Sequence, residues 1–383
     1  MSILLAIETS CDETAAAIVE DGRFVHSNIV ASQVEIHQKY GGVVPELASR
    51  EHLRAIMPVV TEALIAADVA WEELDGVAVT YGPGLAGALL VGVNFAKALA
   101  FSLGIPLIGV NHLEGHVYAA WLSRSRRARR SVEENELRFP LLALVVSGGH
   151  TELVLMRGHG DYGLVGATRD DAAGEAFDKV GRILGLPYPG GPSVQLAADQ
   201  LSRYGLRGRR NMVDLPRAWM QGTYEFSFSG VKTAVLRYMQ SRMKEQDLSE
   251  PPITAPGGIV SADVPLYVAQ VAASFQQSVA DVLVAKTVEA AKEFKVQMIL
   301  VVGGVAANSL LREEITAHAP VPVRIPDISF CTDNAAMIGA CGYYRLQQGL
   351  VSDMTLDVDP GARLAPPSTA IPSEGYGGSG RRR

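Results

Sequence analysis

The sequence PLIGVNHLEGHVYAAWL, from Pro106 to Leu122, begins as a buried strand and continues as a helix. His112 and His116 stand four residues apart in it, so both imidazoles lie on one face of that helix, one turn apart. Two neutral imidazoles in this arrangement bind a transition metal when a third ligand comes from elsewhere in the chain. A pair of ordinary surface histidines is the alternative, since this spacing also arises by chance.

The composition is that of a protein with a substantial core. The 383 residues are 48% hydrophobic and 20% charged, enough for one large or two medium domains. The net charge of -7 excludes a chain-wide basic surface for nucleic acid. The three cysteines (Cys11, Cys331 and Cys341) have no metal-ligand or redox spacing, which suits a reducing cytoplasm. The first residues lack a basic region, and polar residues interrupt the apolar stretch 85–110, so we expect neither a signal peptide nor a membrane span.

The same order of strands and helices occurs twice along the chain. The first half predicts strands at 3–9, 15–19, 24–30, 77–80 and 106–110, with helices at 45–67 and 85–103. The second half predicts strands at 141–146, 152–156, 162–167, 298–302 and 321–325, with helices at 268–283 and 306–317. This repetition predicts an α/β fold of two similar lobes related by duplication. A cleft between two such lobes is the usual place for a nucleotide or small ligand.

The predicted boundaries follow from this order. We expect a first lobe over 1–122, an arginine-rich insertion loop over 123–138, a second lobe over 139–325, a C-terminal helix over 326–350 that returns to the first lobe, and a tail over 351–383. The tail is rich in Pro, Gly and Ser from about residue 366, which predicts disorder from there. Pro58 is expected to kink or split the helix at 45–67.

Small or polar turns follow three of the buried strands. Ser147-Gly148-Gly149-His150 comes after one, and its backbone N–H groups and hydroxyl can face an anion. The stretch 303–308 joins another strand to a helix N-terminus, which favours a phosphate. The turn with Asp12 and Glu13 takes the equivalent place after the first strand. Each turn could be an ordinary tight turn, but together they indicate a bound nucleotide. The stretch 82–87 also matches a dinucleotide pattern, but Pro83 removes an N–H and close strand–helix packing explains it better.

Three further stretches contain candidate ligands. Asp178 lies a turn beyond the acidic start of the helix that opens at Asp170, and it can hydrogen-bond a ribose; acids that suit the helix dipole are the alternative. Gly191 belongs to a rigid turn whose glycines permit close ligand approach. Asp333 precedes the last helix as either its N-cap or a third metal ligand. Two histidines with one carboxylate leave open positions, as a catalytic zinc or non-haem iron(II) site requires. The stretch 226–232 receives no chemical assignment.

Over roughly Met1 to Leu350 the chain resembles the TsaD family (also called Gcp or YgjD), which belongs to the universal threonylcarbamoyl-adenosine synthesis proteins. The resemblance is carried by long motifs: IETSCDET at 7–14, GGVVPE at 41–46, the HxxxH stretch, VSGGHT at 146–151, the acidic stretch 170–178 and FCTDN at 330–334. The departures are the arginine-rich insertion, Val231 in place of leucine, and the tail. None of them touches the expected site.

The resemblance implies a fold and a reaction. The fold is two duplicated RNase H-like lobes of the actin/Hsp70-like (ASKHA) superfamily. The reaction transfers the threonylcarbamoyl group from threonylcarbamoyl-AMP to the exocyclic amine of adenosine at position 37, in tRNAs that read codons beginning with A, and releases AMP. It implies a divalent metal, iron(II) in preference to zinc, on His112, His116 and Asp333. It also implies adenylate binding by Val145, Val146, Ser147, Gly148, Gly149, Asp178, Gly191 and Asn308. Asp12, Glu13 and His150 are the candidates for taking the proton.

The resemblance also implies partners. They are tRNA, a TsaB-like paralogue that lacks the metal histidines, and a small TsaE-like ATPase, in the cytoplasm and without a membrane. The acidic net charge fits a catalyst that does not hold tRNA alone. The arginines of the insertion and those at 203–210 can add local phosphate contacts.

Three other functions have to be weighed. A metalloprotease needs glutamate directly after the first histidine, but Leu113 is there and Glu114, one later, points about 200° away. A non-catalytic scaffold, like the family's paralogue, does not explain the complete set of two histidines and an aspartate. A small-molecule kinase of the same fold class would turn over ATP without tRNA.

Overall fold

The computed structural model describes residues 1–123, 137–205, 212–245 and 264–365. Within them the chain forms two compact units. Among the described residues, unit 1 takes Met1–Leu141, Met156–Tyr162 and 324–365, and unit 2 takes Leu142–Leu155 and Gly163–Val323. Five of the six arginines of the predicted insertion loop lie outside the described residues: Arg124, Arg126, Arg127, Arg129 and Arg130. Arg207, Arg209, Arg210 and the tail from 366 also lie outside them. Arg203 is described, in a short 3-10 helix over Gln200–Tyr204.

Unit 1 is built on a mixed five-stranded sheet. Its strands are β1 (Ile3–Glu8), β2 (Glu13–Glu20), β3 (Phe24–Ser32), β4 (Gly76–Gly82) and β5 (Leu107–Asn111), in the order β3-β2-β1-β4-β5. The first three are antiparallel neighbours, and β4 and β5 run parallel to β1. Asp21 and Gly22 form the predicted hairpin turn, both with positive φ. The helices are α1 (Val34–Gln38), α2 (Pro45–Ala67), α3 (Ala86–Leu103) and α4 (His112–Tyr118).

Helices α2 and α3 cover one face of this sheet. Leu5, Ile7 and Ile18 point to that face and join Ile56 and Val93 in one buried cluster, as the period-2 alternation of a strand requires. The sequence predicts that Pro58 kinks or splits α2. It does not split it, since α2 is one helix from Pro45 to Ala67. By length and composition α3 could cross a membrane, but 33% of it is buried inside the protein. The buried face of α3 packs in the unit 1 core, so we describe α3 as a core helix of unit 1.

Unit 2 repeats the plan of unit 1. The second sheet, most of whose residues belong to unit 2, has five strands. They are β6 (Leu141–Val146), β7 (Thr151–Gly158), β8 (Asp161–Ala167), β9 (Met298–Val302) and β10 (Val323–Arg324), in the order β10-β9-β6-β7-β8. Both sheets therefore place their third, second, first, fourth and fifth strands side by side, which confirms the duplicated α/β fold. The helices are α5 (Ala173–Ile183), α6 (Gly190–Asp199), α7 (Ser229–Glu245), α8 (Leu266–Glu293) and α9 (Ser309–His318).

Two predicted elements of unit 2 differ from the structure. The helix expected over 306–317 is a 3-10 turn over Gly304–Ala307 followed by α9, because the Asn308 side chain caps α9 and interrupts the helix. The strand expected over 321–325 is only two residues long.

The last helix, α10 (Ala335–Gln347), belongs to unit 1 and covers the second face of its sheet. Gly339 and Gly342 allow this close packing, since a Cβ on Gly339 would lie 2.7 Å from Val19 and one on Gly342 2.6 Å from Ala78. Beyond it the chain runs along strand β5. Ser352 N donates to the Leu107 carbonyl at 2.8 Å, and Ser352 Oγ accepts from Gly109 N at 3.0 Å.

Candidate metal centre

The two histidines are positioned by the junction between β5 and α4. Strand β5 ends at Asn111, whose side-chain oxygen accepts hydrogen bonds from Leu113 N at 2.9 Å and Glu114 N at 3.3 Å. This N-cap starts α4 at His112. His116 follows one turn later, and the two ring centroids are 4.7 Å apart. Every residue of α4 is buried, so these are not ordinary surface histidines.

Asp333 reaches the same place from the segment before α10. Its Oδ1 lies 3.5 Å from His112 Nε2 and 3.2 Å from His116 Nε2. One ligand atom from each of the three residues lies within 4.8 Å of the others. Ligands at about 2.1 Å from a tetrahedral cation lie roughly 3.4 Å from one another, so the spacing fits one cation. The alternative role of Asp333 is wrong, because Asn334 caps α10 through Met337 N.

His116 provides the structural test of a metal at this position. Its side chain is fully buried, and neither of its ring nitrogens makes a hydrogen bond among the described residues. A buried polar atom without a partner is costly and rare in folded proteins. A cation on Nε2 would remove that cost for one of the two nitrogens. The donor set therefore fits a divalent transition metal, and the identity of the metal is a separate question.

Glu8 lies behind His112 and was not identified from the sequence as a site residue. The fully buried carboxylate accepts from His112 Nδ1 at 3.0 Å, and Ser10 Oγ lies 3.1 Å from the same nitrogen. Burial alone would raise the pKa of Glu8, but charge and a hydrogen bond from His112 hold it below its ordinary value. Burial opposes protonation of His112, but Glu8 and Asp333 raise its pKa to about 9.

The candidates for taking the proton are divided between the two units. Asp12 and Glu13 lie in unit 1, whereas His150 lies in unit 2. The backbone N–H of His150 donates to Ser147 Oγ at 3.2 Å. Burial, with the charges of Asp333 and Asp12, raises the pKa of Glu13 to about 10.

His52 holds the turn that carries Asp12 and Glu13. Its Nε2 donates to the Cys11 carbonyl at 2.9 Å, so Nδ1 accepts from the Thr14 hydroxyl at 2.8 Å. Burial lowers the pKa of His52, which keeps the ring neutral in this arrangement. No periodic pattern in the sequence marks this role, since His52 lies in the middle of a long amphipathic helix.

In unit 2, glycines bring several predicted nucleotide-binding stretches together. The turn Ser147–Gly149 follows β6, which ends with Val145 and Val146. A Cβ on Gly174 would lie 2.5 Å from the Ser147 carbonyl oxygen, and one on Gly303 would lie 2.4 Å from that of Val146. Both positions require glycine, because any Cβ there would clash with these carbonyl oxygens. The start of α5 and the loop after β9 therefore both lie against this turn.

The remaining predicted adenylate residues have defined structural roles. Asp178 Oδ1 accepts from Gly190 N at 2.7 Å, which ties α5 to the start of α6. Gly191, in the first turn of α6, has open space where a side chain would be. Asn308 Oδ1 caps α9 through Leu311 N at 3.0 Å, and its amide lies 3.4 Å from Gln276 Oε1.

Comparisons with known proteins agree with this geometry. The family model described as TsaD, tRNA N6-adenosine threonylcarbamoyltransferase, matches residues 24–340. The protein of that name from Thermomicrobium roseum is 54% identical over 362 residues, covering 93% of this chain and 95% of its own length. The one from Geobacillus kaustophilus is 51% identical, covering 94% and 96%.

The fold also has a distant solved neighbour. Full-length HypF, in its phosphate- and nucleotide-bound form, aligns with a TM-score of 0.53 at 11% identity, covering 90% of this chain and 46% of its own. This likeness supports the duplicated α/β fold. The family match spans most of the chain, and the relatives are aligned over nearly their full length. The chain belongs to the TsaD family of tRNA N6-adenosine threonylcarbamoyltransferases.

Proposed function

We propose that this transferase uses threonylcarbamoyl-AMP as its donor and modifies adenosine 37 of tRNAs that read codons beginning with A. We further propose that His112, His116 and Asp333 hold one divalent cation, iron(II) in preference to zinc. The observation that carries the metal proposal is the buried His116, whose ring nitrogens make no hydrogen bond in the described part of the chain although Asp333 Oδ1 lies 3.2 Å from Nε2. Two histidines and one carboxylate form the donor set of non-haem iron(II) sites.

The adenylate part of the donor is assigned to unit 2. Backbone N–H groups of the turn over Ser147–Gly149 suit a phosphate or a developing oxyanion. The open space at Gly191 suits the close approach of a ribose or base. Asp178 already accepts one backbone hydrogen bond, so its carboxylate is held in a fixed orientation toward that region. Val145, Val146 and Asn308 complete the proposed set.

In the reaction, the exocyclic nitrogen of adenosine attacks the carbonyl carbon of the threonylcarbamoyl group. A C–N bond forms, the bond from that carbon to the phosphate oxygen breaks, and AMP leaves with the electron pair. The amine proton passes to a base, for which Asp12, Glu13 and His150 are the candidates. A bound divalent cation supplies a Lewis acid that can orient the donor and polarise its oxygens. Correct positioning of the two reactants can contribute roughly 7–11 kcal/mol to lowering the barrier.

We propose a cytoplasmic complex with a TsaB-like paralogue and a TsaE-like ATPase as the working form of the protein. The net charge of -7 supports shared rather than solitary tRNA binding.

The metalloprotease alternative finds no support, because Glu114 is engaged by Tyr162 and Arg345 rather than by the histidines.

The test is mass spectrometry of tRNA nucleosides from cells depleted of this protein. We expect threonylcarbamoyl-adenosine to disappear and the wild-type protein to restore it, while Asp333→Ala does not. His318→Ala, a change at a histidine whose side chain is 61% exposed, is the matched control and should restore it fully. Full restoration by Asp333→Ala would overturn the proposed metal site. Cleavage of a glycoprotein that depends on His112, or ATP turnover on a sugar without tRNA, would favour the rival functions.

A further inference from the structure

Glu8 is a charged residue at a place where the sheet should bury an apolar one. Leu4 and Ala6 precede it on the same face of β1, and both are fully buried, as Glu8 is. Burying a carboxylate costs several kcal/mol unless hydrogen bonds compensate it. A buried charge in this position therefore needs a reason.

Three donors surround the Glu8 carboxylate. Ser10 N donates to Oε1, while the Thr80 hydroxyl at 2.5 Å and His112 Nδ1 at 3.0 Å both contact Oε2. Thr80 and Ser10 fix the plane of the carboxylate, because one lies on the neighbouring strand β4 and the other just beyond β1. The carboxylate is thus held rigidly on one side of the His112 ring.

This arrangement decides which nitrogen of His112 can bind a metal. An ionised carboxylate accepts hydrogen bonds and cannot donate them, so Nδ1 must carry the proton. In the neutral ring that binds a metal, Nε2 is then the nitrogen with the lone pair. It is also the nitrogen that lies 3.5 Å from Asp333 Oδ1. His116 has no equivalent partner on its Nδ1 among the described residues. The two histidines therefore differ: among the described residues, His112 has a carboxylate partner on its Nδ1 and His116 has none.

We propose that Glu8 is a positioning residue of the metal centre, which fixes the tautomer and orientation of His112 so that Nε2 faces the cation. This inference rests on the proposed metal site. Carboxylates that orient a metal-bound histidine raise its affinity for the metal, and losing one typically costs about 10–100-fold. Glu8 does not need to touch donor or tRNA for this role.

The experiment is a cobalt(II) titration of the metal-free full chain, comparing wild type with Glu8→Gln, which keeps the shape and removes the charge. We expect binding to weaken by about 10–100-fold. Glu20→Gln is the matched control. Glu20 is also buried in the unit 1 sheet and bonded to a histidine, His26 at 2.7 Å, but away from the metal group. It should bind cobalt(II) as the wild type does.

A second readout separates positioning from a merely structural role. In the cobalt(II)-loaded protein, the Nδ1 proton of His112 should give a hyperfine-shifted NMR signal that exchanges slowly with solvent. We expect the signal to disappear or exchange rapidly in Glu8→Gln and to persist in Glu20→Gln. If Glu8→Gln does not fold, Thr80→Val decides instead, because it removes a hydrogen bond that orients the carboxylate, and it should weaken binding by a smaller factor.

The outcomes distinguish this inference from the proposal beneath it. If the wild type binds no cobalt(II), or binds it equally well after His116→Ala, the proposed metal site is wrong. If the wild type binds through His116 but Glu8→Gln binds with unchanged affinity and an unchanged proton signal, the metal site stands and the role of Glu8 is overturned. Wild-type affinity in Thr80→Val would overturn it in the same way, should Glu8→Gln be unfolded.

Discussion

The guanidinium of Arg345, in α10, donates to the carboxylate of Glu114, in α4, at 3.2 Å. The Tyr162 hydroxyl donates to the other oxygen of the same carboxylate at 2.9 Å. Helix α4 carries both histidines, and Asp333 immediately precedes the helix that carries Arg345. The ion pair therefore ties together the two chain segments from which the proposed metal ligands come.

Glu114→Ala should destabilise the protein by about 3 kcal/mol, because it leaves the Arg345 guanidinium without its partner. We take the lower end of the usual range because the Arg345 side chain is 28% exposed. Urea unfolding measures the loss. The double variant with Arg345→Ala should lose less than the sum of the two single changes, and strict additivity would show that the pair does not couple the helices.

Removal of any proposed metal ligand should abolish stoichiometric metal binding. His112→Ala, His116→Ala and Asp333→Asn should each weaken divalent-metal affinity by at least about 100-fold, more than the loss of a second residue behind a ligand. Equilibrium dialysis followed by elemental analysis measures this. Each variant should be compared with His318→Ala, which should retain the wild-type metal content.

Two glycines near the starts of helices form a matched pair. Gly174→Ala should destabilise the protein by about 1–3 kcal/mol, since the new Cβ would lie 2.5 Å from the Ser147 carbonyl oxygen. Gly230→Ala should change stability by less than about 1 kcal/mol, because nothing lies within 4 Å of its Cβ position. Thermal unfolding of both variants gives the comparison. Equal losses would mean that the contact with Ser147 is relaxed in solution.

Asp170 gives a pH-dependent prediction and explains the stretch 226–232, which had no assignment from sequence. Its Oδ1 accepts from Phe228 N at 2.8 Å and Ser229 N at 3.3 Å, and its Oδ2 accepts from the hydroxyls of Ser227 and Ser229. Burial is the largest single cause and opposes ionisation, but these donors together lower the pKa of Asp170 below its ordinary 3.8. Asp170 thus caps α7 from a distant part of the chain.

A carboxylate whose pKa is lowered by folding stabilises the folded state above its unfolded pKa, and that contribution is lost as pH falls through the folded value. Asp170→Asn should therefore cost about 1 kcal/mol near neutral pH, the usual value of a lost helix cap. The difference from wild type should shrink below about pH 3.8. Urea unfolding of the wild type and of Asp170→Asn, at neutral pH and again below about pH 3.8, measures this difference. Asp161→Asn, at a carboxylate whose side chain is 58% exposed, should show little effect at either pH.

The repeating order of strands could be predicted from the sequence because it depends on local patterns. The pairing of His112 with His116 follows in the same way from helical spacing, whereas only the fold brings Asp333 within 4.8 Å of them. Buried strands such as β6 and β9 have the predicted bounds, since continuous apolar runs mark them. Leu53 and Met57 have the helical spacing of a buried face of α2, but both are exposed, at 66% and 52%. A stripe of apolar residues shows which side of a helix is apolar and cannot show how much of it the core covers.

Long-range hydrogen bonds were the part that the sequence could not supply. Glu8 is a single acid at the end of an apolar run, and only its contacts with Thr80 and His112 show its place. The same holds for His52 and Asp170, whose partners lie far away in the chain. One feature of the sequence could have identified Glu8. It is a charged residue at a position of β1 where strand alternation predicts a buried apolar side chain.

The segment that follows α10 has a consequence for solubility. Strand β5 is the outermost strand of its sheet, and an outermost strand offers free N–H and C=O groups to any extended chain. Ser352 occupies two such groups, those of Leu107 and Gly109. The segment after α10 thus covers part of this sheet edge and keeps other chains from pairing with it. A truncation before Ser352 would expose the edge as a template for self-association.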